Sequence, residues 1–262
     1  MLNSSGKRLV SQFVKWAIIL LAFGFIFYKL NNNKNLANFL GLIQSISKGE
    51  LYITLSAVFL LMLLNWVLES VKWKYLVKGI ERISIWKSIE SVFCGLTWAV
   101  FTPNRIGEYG GRVFFLSPRR RILGVIAMGV GAVGQMVITN IVGAVALLWF
   151  IWRFMQLDFW VNSALLILVV VFCAFFSFFY FNIQVVYNLI IKIKGLRRFG
   201  KFFQILARYK FSELWKVFLY CLARFVVFTS QYYILIHLLL PDLPVFECCM
   251  MTFILFFIQS AL

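Results

Sequence analysis

Charge is scarce in this chain, and negative charge is scarcer still. Only 13% of its 262 residues are charged, against about 25% in ordinary soluble domains, while 63% are hydrophobic. That composition excludes a water-soluble globule and points to a polytopic, membrane-embedded chain. Nine acidic residues stand against 26 basic ones. Outside the basic face the only carboxylates are Glu50, Asp158, Asp242 and Glu247, with no DxD-type pair, which weighs against carboxylate catalysis. Histidine occurs once, as His237, which reads as an interfacial residue near the end of a span. The five cysteines, at 94, 173, 221, 248 and 249, form no CxxC and show no ligand spacing. They read as small buried side chains, so neither a metal nor another cofactor is expected. Most of the 30 Phe lie within the apolar runs, so the positive charge does not read as nucleic-acid binding. No small-residue cleavage site follows Val14–Leu30, so that stretch reads as a retained first span rather than a signal peptide.

What the chain does have is long apolar runs. Further spans are expected at Leu51–Leu68, Ile122–Trp152, Phe159–Ile191 and Leu214–Leu240, and a last apolar run at Val245–Leu262. Ser88–Phe101 holds 14 residues, short of the roughly 20 that a spanning helix needs. If it enters and leaves on one side, 21 of the 26 Lys and Arg fall on one face and four on the other. A crossing would carry Arg119, Arg120 and Arg121 over. Cytoplasmic loops concentrate Lys and Arg, so the bias favours a re-entrant segment and a cytoplasmic N-terminus. Glu69–Ile80 alternates Lys with Trp73, Tyr75 and Leu76, as a surface-lying helix does. Lys192–Lys210, rich in Arg and Phe, reads either as a topology-setting loop or as a headgroup surface.

Charge inside such a protein marks function by default. The polar run Thr102–Arg112 contains Arg105, Glu108 and Arg112. Thr102 and Pro103 read as N-cap and first residue of a helix whose positive end would face an anion. Glu108 and Arg112 are four apart and can pair on one face. Gly107 and Gly111 form a small-xxx-small pair that permits close backbone approach. A tight turn with a self-neutralising pair is one reading. A phosphate-facing site is the other, favoured because one Glu cannot neutralise two Arg. In the next helix Gly124, Ala127, Met128, Gly131 and Gly134 form a packing stripe, with Gln135 able to hydrogen-bond across it. Arg224 lies eight residues inside Lys216, too deep to reach the interface easily, and Gln231 follows seven residues later. Arg224 is expected to face a cavity, with Glu108 or a lipid phosphate as partner. Asn65, Glu69 and Lys72 share a helix face, which either lines the same cavity or caps the helix end.

With those residues in hand, the chain resembles the lysylphosphatidylglycerol-synthase transmembrane (flippase-like) family. The likeness rests on Lys72-Trp73, the core Pro103-x-Arg105-x-Gly107-Glu108, Arg112 and the glycine-rich helix. Three features depart from it. Glu108 and Arg112 are separated by four rather than three, Gly134-Gln135 replaces a Glu-Arg pair, and a second Pro/Gly/Glu motif is absent before Leu262. The resemblance implies movement or flipping of phospholipids or lipid-linked sugars. It implies no lysine transfer, for which the family uses a separate soluble domain.

The sequence reading is therefore an all-α transmembrane bundle, one integral membrane domain over 1–262, with a re-entrant helix-loop-helix. Further sequence is expected after Leu262, where a second hairpin would complete an inverted repeat. The expected role is handling an anionic phospholipid or lipid-linked glycan in a bacterial inner membrane. Arg105, Glu108, Arg112 and Arg224 would meet the phosphate, supported by Pro103, Gly107, Gly111, Lys72, Trp73, Gln135 and Gln231. No catalytic residue is assigned. A membrane glycosyltransferase, another lipid-modifying enzyme, and an accessory anchor for a partner enzyme are the rivals. A homo-oligomer is also compatible.

Overall fold

The computed structural model describes residues 46–103, 106–155, 157–192 and 200–261. The expected first span Val14–Leu30 and residues 193–199 of the basic loop lie outside them. The chain divides into two units, Met1–Tyr52 and Ile53–Leu262, and the second carries the features below. Every described element is helical: α1 (Lys48–Val77), α2 (Ile85–Val100), α3 (Gly107–Val113), α4 (Arg121–Phe154), α5 (Phe159–Phe181), α6 (Ile183–Lys192), α7 (Gly200–Phe203), α8 (Phe211–Leu239) and α9 (Val245–Ala261).

Among the described residues, four helices are long and apolar enough to cross a membrane: Lys48–Val77, Pro118–Phe154, Phe159–Phe181 and Phe211–Leu239. Burial agrees with that solvent. Phe59, Ile167, Leu168 and Val171 are exposed, while Asn65, Glu69, Lys72 and Arg112 are buried. A water-soluble fold does the reverse. Apolar side chains outside and charge inside is the pattern of a multi-pass membrane protein.

α4 is the axis of the bundle. Its small residues admit neighbours that larger ones would exclude. A methyl on Gly134 would lie 2.9 Å from the Tyr180 hydroxyl, and one on Gly143 would strike the Phe257 side chain. Tyr180, on α5, donates to the Leu214 carbonyl at 3.2 Å and so fixes the start of α8. α8 and α9 join through Phe225, Phe228, Tyr232, Phe253 and Phe256, whose rings contact one another.

α2 and α3 form an antiparallel hairpin. Ser84 caps α2 by accepting the Lys87 N–H at 3.1 Å. Sixteen residues of α2 span about 24 Å, less than the roughly 30 Å hydrocarbon core. The crossing depends on glycine, since a methyl on Gly111 would sit 2.7 Å from the Gly95 Cα. Both ends of the hairpin return to one place. Ser117 donates its N–H and hydroxyl to Glu81 Oε2, at 3.0 and 2.5 Å, and Arg120 donates to the Ile80 carbonyl at 2.7 Å.

Three expectations change. Glu69–Ile80 is not a separate surface-lying helix. Through Val77 it continues α1, and Glu69, Ser70, Lys72, Trp73, Leu76 and Val77 are buried. The alternation of Lys with aromatics read as amphipathic at an interface, whereas Lys72 and Trp73 both pack inward. The run Phe159–Ile191 is two helices, broken at Asn182, whose side-chain amide turns back to the Phe178 carbonyl at 3.0 Å. The third change is at Pro103, which does not begin α3. The helix starts at Gly107, and Thr102 reaches it across the turn, its hydroxyl accepting the Gly107 N–H at 2.7 Å.

Candidate functional site

Three elements supply the site. α1 presents Asn65, Glu69 and Lys72 on one face, because residues three and four apart share a face of a helix. The hairpin brings Glu108 and Arg112, one turn apart on α3. α8 brings Arg224.

Glu69 is the hub. Its Oε2 lies 2.7 Å from Lys72 Nζ and is also paired with Arg224 Nη1. Its Oε1 accepts from Arg112 Nη1, while Arg112 Nη2 reaches Glu108 Oε1. Arg224 Nε donates to Asn65 Oδ1 at 2.7 Å. One carboxylate thus ties α1 to both the hairpin and α8. Arg112 is 2% exposed, Lys72 3% and Glu69 6%.

By magnitude, a buried ion cluster is a weak source of net stability. Removing an ion from water costs several kcal/mol even after relaxation, and well-packed apolar replacements of buried pairs are often neutral or stabilising. The described members are three cations against two carboxylates, so one positive charge remains. Hydrogen bonds that satisfy carboxylates do not cancel it.

The cluster borders two cavities. The larger, about 580 Å³, runs past Glu69, Arg112 and Arg224 to Phe225, Phe228 and Gln231. The smaller, about 420 Å³, opens on Lys72, Trp73 and Met128. Glu69, Glu108, Arg112, Gln135 and Arg224 face both. The ion cluster is therefore the shared wall between two spaces, and it combines charge with apolar and aromatic surface.

The sequence-predicted residues fall into place unevenly. Glu108, Arg112, Arg224 and Lys72 meet in one network. Gln135 and Gln231 line the larger cavity. Gly107 and Gly111 serve the packing of the hairpin: a methyl on Gly107 would strike the Trp98 carbonyl oxygen, as one on Gly111 would meet Gly95. Trp73 is buried, with its ring 3.7 Å from where a Gly124 methyl would lie, and it borders the smaller cavity. Pro103 sits in the turn before α3. Arg105 lies outside the described residues. The ion pair that Arg224 makes is with Glu69 rather than the expected Glu108.

Glu69 and Asn65 are the site residues that the sequence left ambiguous. Their signal was the spacing Asn65, Glu69, Lys72 on an otherwise apolar helix. Assigning Glu69–Ile80 to the membrane surface hid it. No protein family, curated protein or solved structure matches this chain.

Proposed function

We propose that this protein is a flippase-like membrane protein that binds and moves an anionic lipid headgroup, from a phospholipid or a lipid-linked glycan. The observation that carries the reading is the buried cluster of Glu69, Lys72, Glu108, Arg112 and Arg224, which keeps one positive charge and borders a cavity of about 580 Å³. A phosphate entering that cavity meets Arg224, whose side chain is 23% exposed against 3% for Arg112. The apolar wall of Phe225, Phe228 and Phe256 suits the acyl or isoprenoid part of the same molecule.

Glu69 then works as an internal counter-ion. With the cavity empty it holds Arg224 and Lys72. A headgroup phosphate competes for the same guanidinium, and charge-assisted hydrogen bonds of Arg to phosphate are strong and often bidentate. Exchange of carboxylate for phosphate on Arg224 loosens the tie between α1 and α8 while the substrate is held.

The hairpin α2–α3 is read as re-entrant, one half of an inverted-repeat architecture. The short α2 and the meeting of Glu81 with Ser117 support that. The Lys and Arg bias supports a cytoplasmic N-terminus in a bacterial inner membrane. The resemblance of the Pro103–Arg112 run to the lysylphosphatidylglycerol-synthase transmembrane family agrees with a lipid substrate.

Reconstituting the full chain into vesicles with a fluorescent anionic lipid tests the reading. Movement between leaflets should exceed that of protein-free vesicles, and Arg224→Gln should slow it about tenfold or more, the worth of a hydrogen bond to a charged group. Transport indistinguishable from protein-free vesicles would remove the proposal.

A further inference from the structure

Helix α1 is anchored along only part of its length. All of its buried residues lie from Asn65 onward. From there the chain is tied repeatedly to its neighbours. The Ser88 hydroxyl of α2 donates to the Ser70 carbonyl at 2.6 Å, and the Trp66 and Phe93 rings meet edge to face at 5.0 Å. The Tyr75 ring lies 6.1 Å from that of Tyr220 on α8, Lys78 pairs with Glu213 at 2.9 Å, and the buried Tyr209 hydroxyl donates to the Leu76 carbonyl at 2.9 Å. The ties furthest from Val77 include those of Asn65 and Glu69 to Arg224. As α1 runs from Glu69 to Lys78, the partners run from Arg224 back to Glu213, so α1 and α8 are antiparallel.

Between Ile53 and Leu64 the same helix is unpinned. Among the described residues no hydrogen bond, ion pair or ring contact joins this half to another helix, and none of its side chains is buried. Ile53 is 73% exposed and Leu60 65%. Lipid is as apolar as Leu and Phe, so no hydrophobic effect presses such a face onto its neighbours. Yet Met62, Asn65 and Trp66 form one wall of the larger cavity. The opposite wall is fixed along its length. Phe225, Phe228 and Tyr232 of α8 pack their rings on Phe253 and Phe256 of α9, and α9 seats Phe257 against Gly143 of α4. The cavity therefore has rigid walls and one wall held from one end.

We propose that α1 pivots at its Val77 end and that its half Ile53–Leu64 is a lateral gate between the larger cavity and the bilayer. Lys78–Glu213, Tyr209–Leu76 and Tyr75–Tyr220 are the hinge. The bonds of Asn65 and Glu69 to Arg224 are the latch. The inference goes beyond the anion reading, because a substitution in the latch opens the gate with no ligand present.

Nitroxide pairs on the full chain, in a cysteine-free background and in phosphatidylcholine nanodiscs, measure both ends by double electron–electron resonance. Leu60→Cys with Leu235→Cys reports the free half, and Lys74→Cys with Lys216→Cys the hinge; all four side chains are exposed. About 26 Å of helix separates Leu60 from Val77, so a tilt of about 10° carries Leu60 about 4–5 Å. In Arg224→Gln the Leu60–Leu235 distance should lengthen by about 4–5 Å while the Lys74–Lys216 distance stays as in the wild type. Melting temperatures show which variants are folded. Should Arg224→Gln not fold, Asn65→Leu removes one of the two latch bonds and should give a smaller shift of the same pattern. Equal shifts at both ends, or no shift of the free half in a folded latch variant, overturns the gate. Phosphatidate added to the wild type should reproduce the Arg224→Gln pattern. A wild type that phosphatidate leaves unchanged, beside a latch variant that opens, keeps the gate and counts against the anion reading.

Discussion

Glu69 on α1 and Arg224 on α8 form an ion pair inside a bundle of apolar helices. Neutralising Glu69 leaves Lys72, Arg112 and Arg224 facing an amide. Breaking a buried pair from one side costs about 3–5 kcal/mol, because the orphaned charge stays in a medium of low dielectric. Glu69→Gln should therefore lower the unfolding midpoint in detergent far more than an exposed change such as Glu50→Gln. The double variant Glu69→Gln/Arg224→Gln should recover part of the loss, with a coupling of about 1–3 kcal/mol. Strict additivity of the two single changes would mean that the pair carries no energy.

The hairpin gives a second comparison. A methyl on Gly111 would meet the Gly95 backbone at 2.7 Å, while one on Gly110 finds nothing within 4 Å. Backbone cannot move aside as a flexible side chain can. Gly111→Ala should cost about 1–3 kcal/mol by forcing α2 and α3 apart, and Gly110→Ala should be neutral or slightly stabilising. Thermal unfolding of the two variants is enough. Equal midpoints would show that the hairpin packs less tightly than Gly95 and Gly111 imply.

Single reporter cysteines at Ile85 and Pro118, in an otherwise cysteine-free background, test the path of the hairpin. Both should react with a membrane-impermeant thiol reagent added from the same side. Labelling from opposite sides would make Ile85–Val100 a crossing helix and would require a different topology for every later span.

The contact that closes the hairpin should respond to acid. The Ser117 hydroxyl and backbone N–H, both donating to Glu81, hold its carboxyl below the ordinary value of 4.5. A depressed carboxyl stabilises the fold above its unfolded value and loses that contribution as pH falls through its folded value. The unfolding midpoint should therefore drop between neutral pH and acid, and the drop should be smaller in Glu81→Gln. The same acid sensitivity in both proteins would assign it to other carboxylates.

Composition was enough to determine the solvent of this protein. A chain 63% hydrophobic and 13% charged has to expose apolar side chains to lipid, and the positions of its long runs follow from the length a bilayer demands. Local spacing also determined the Glu108–Arg112 pair and the tight approach at Gly111, since both depend on residues one helical turn apart or on the lack of a Cβ. Tertiary structure decided which charge holds the site together. Asn65, Glu69 and Lys72 looked equally like a helix end, because a helix face carries no information about what will pack on it. Only the return of α8, which brings Arg224 to Glu69, turns that face inward. Only the fold of α2 against α3 delivers Arg112 to the same carboxylate. Ion pairs between residues so far apart in sequence obey no periodicity, and a charge meets its partner where the helices cross.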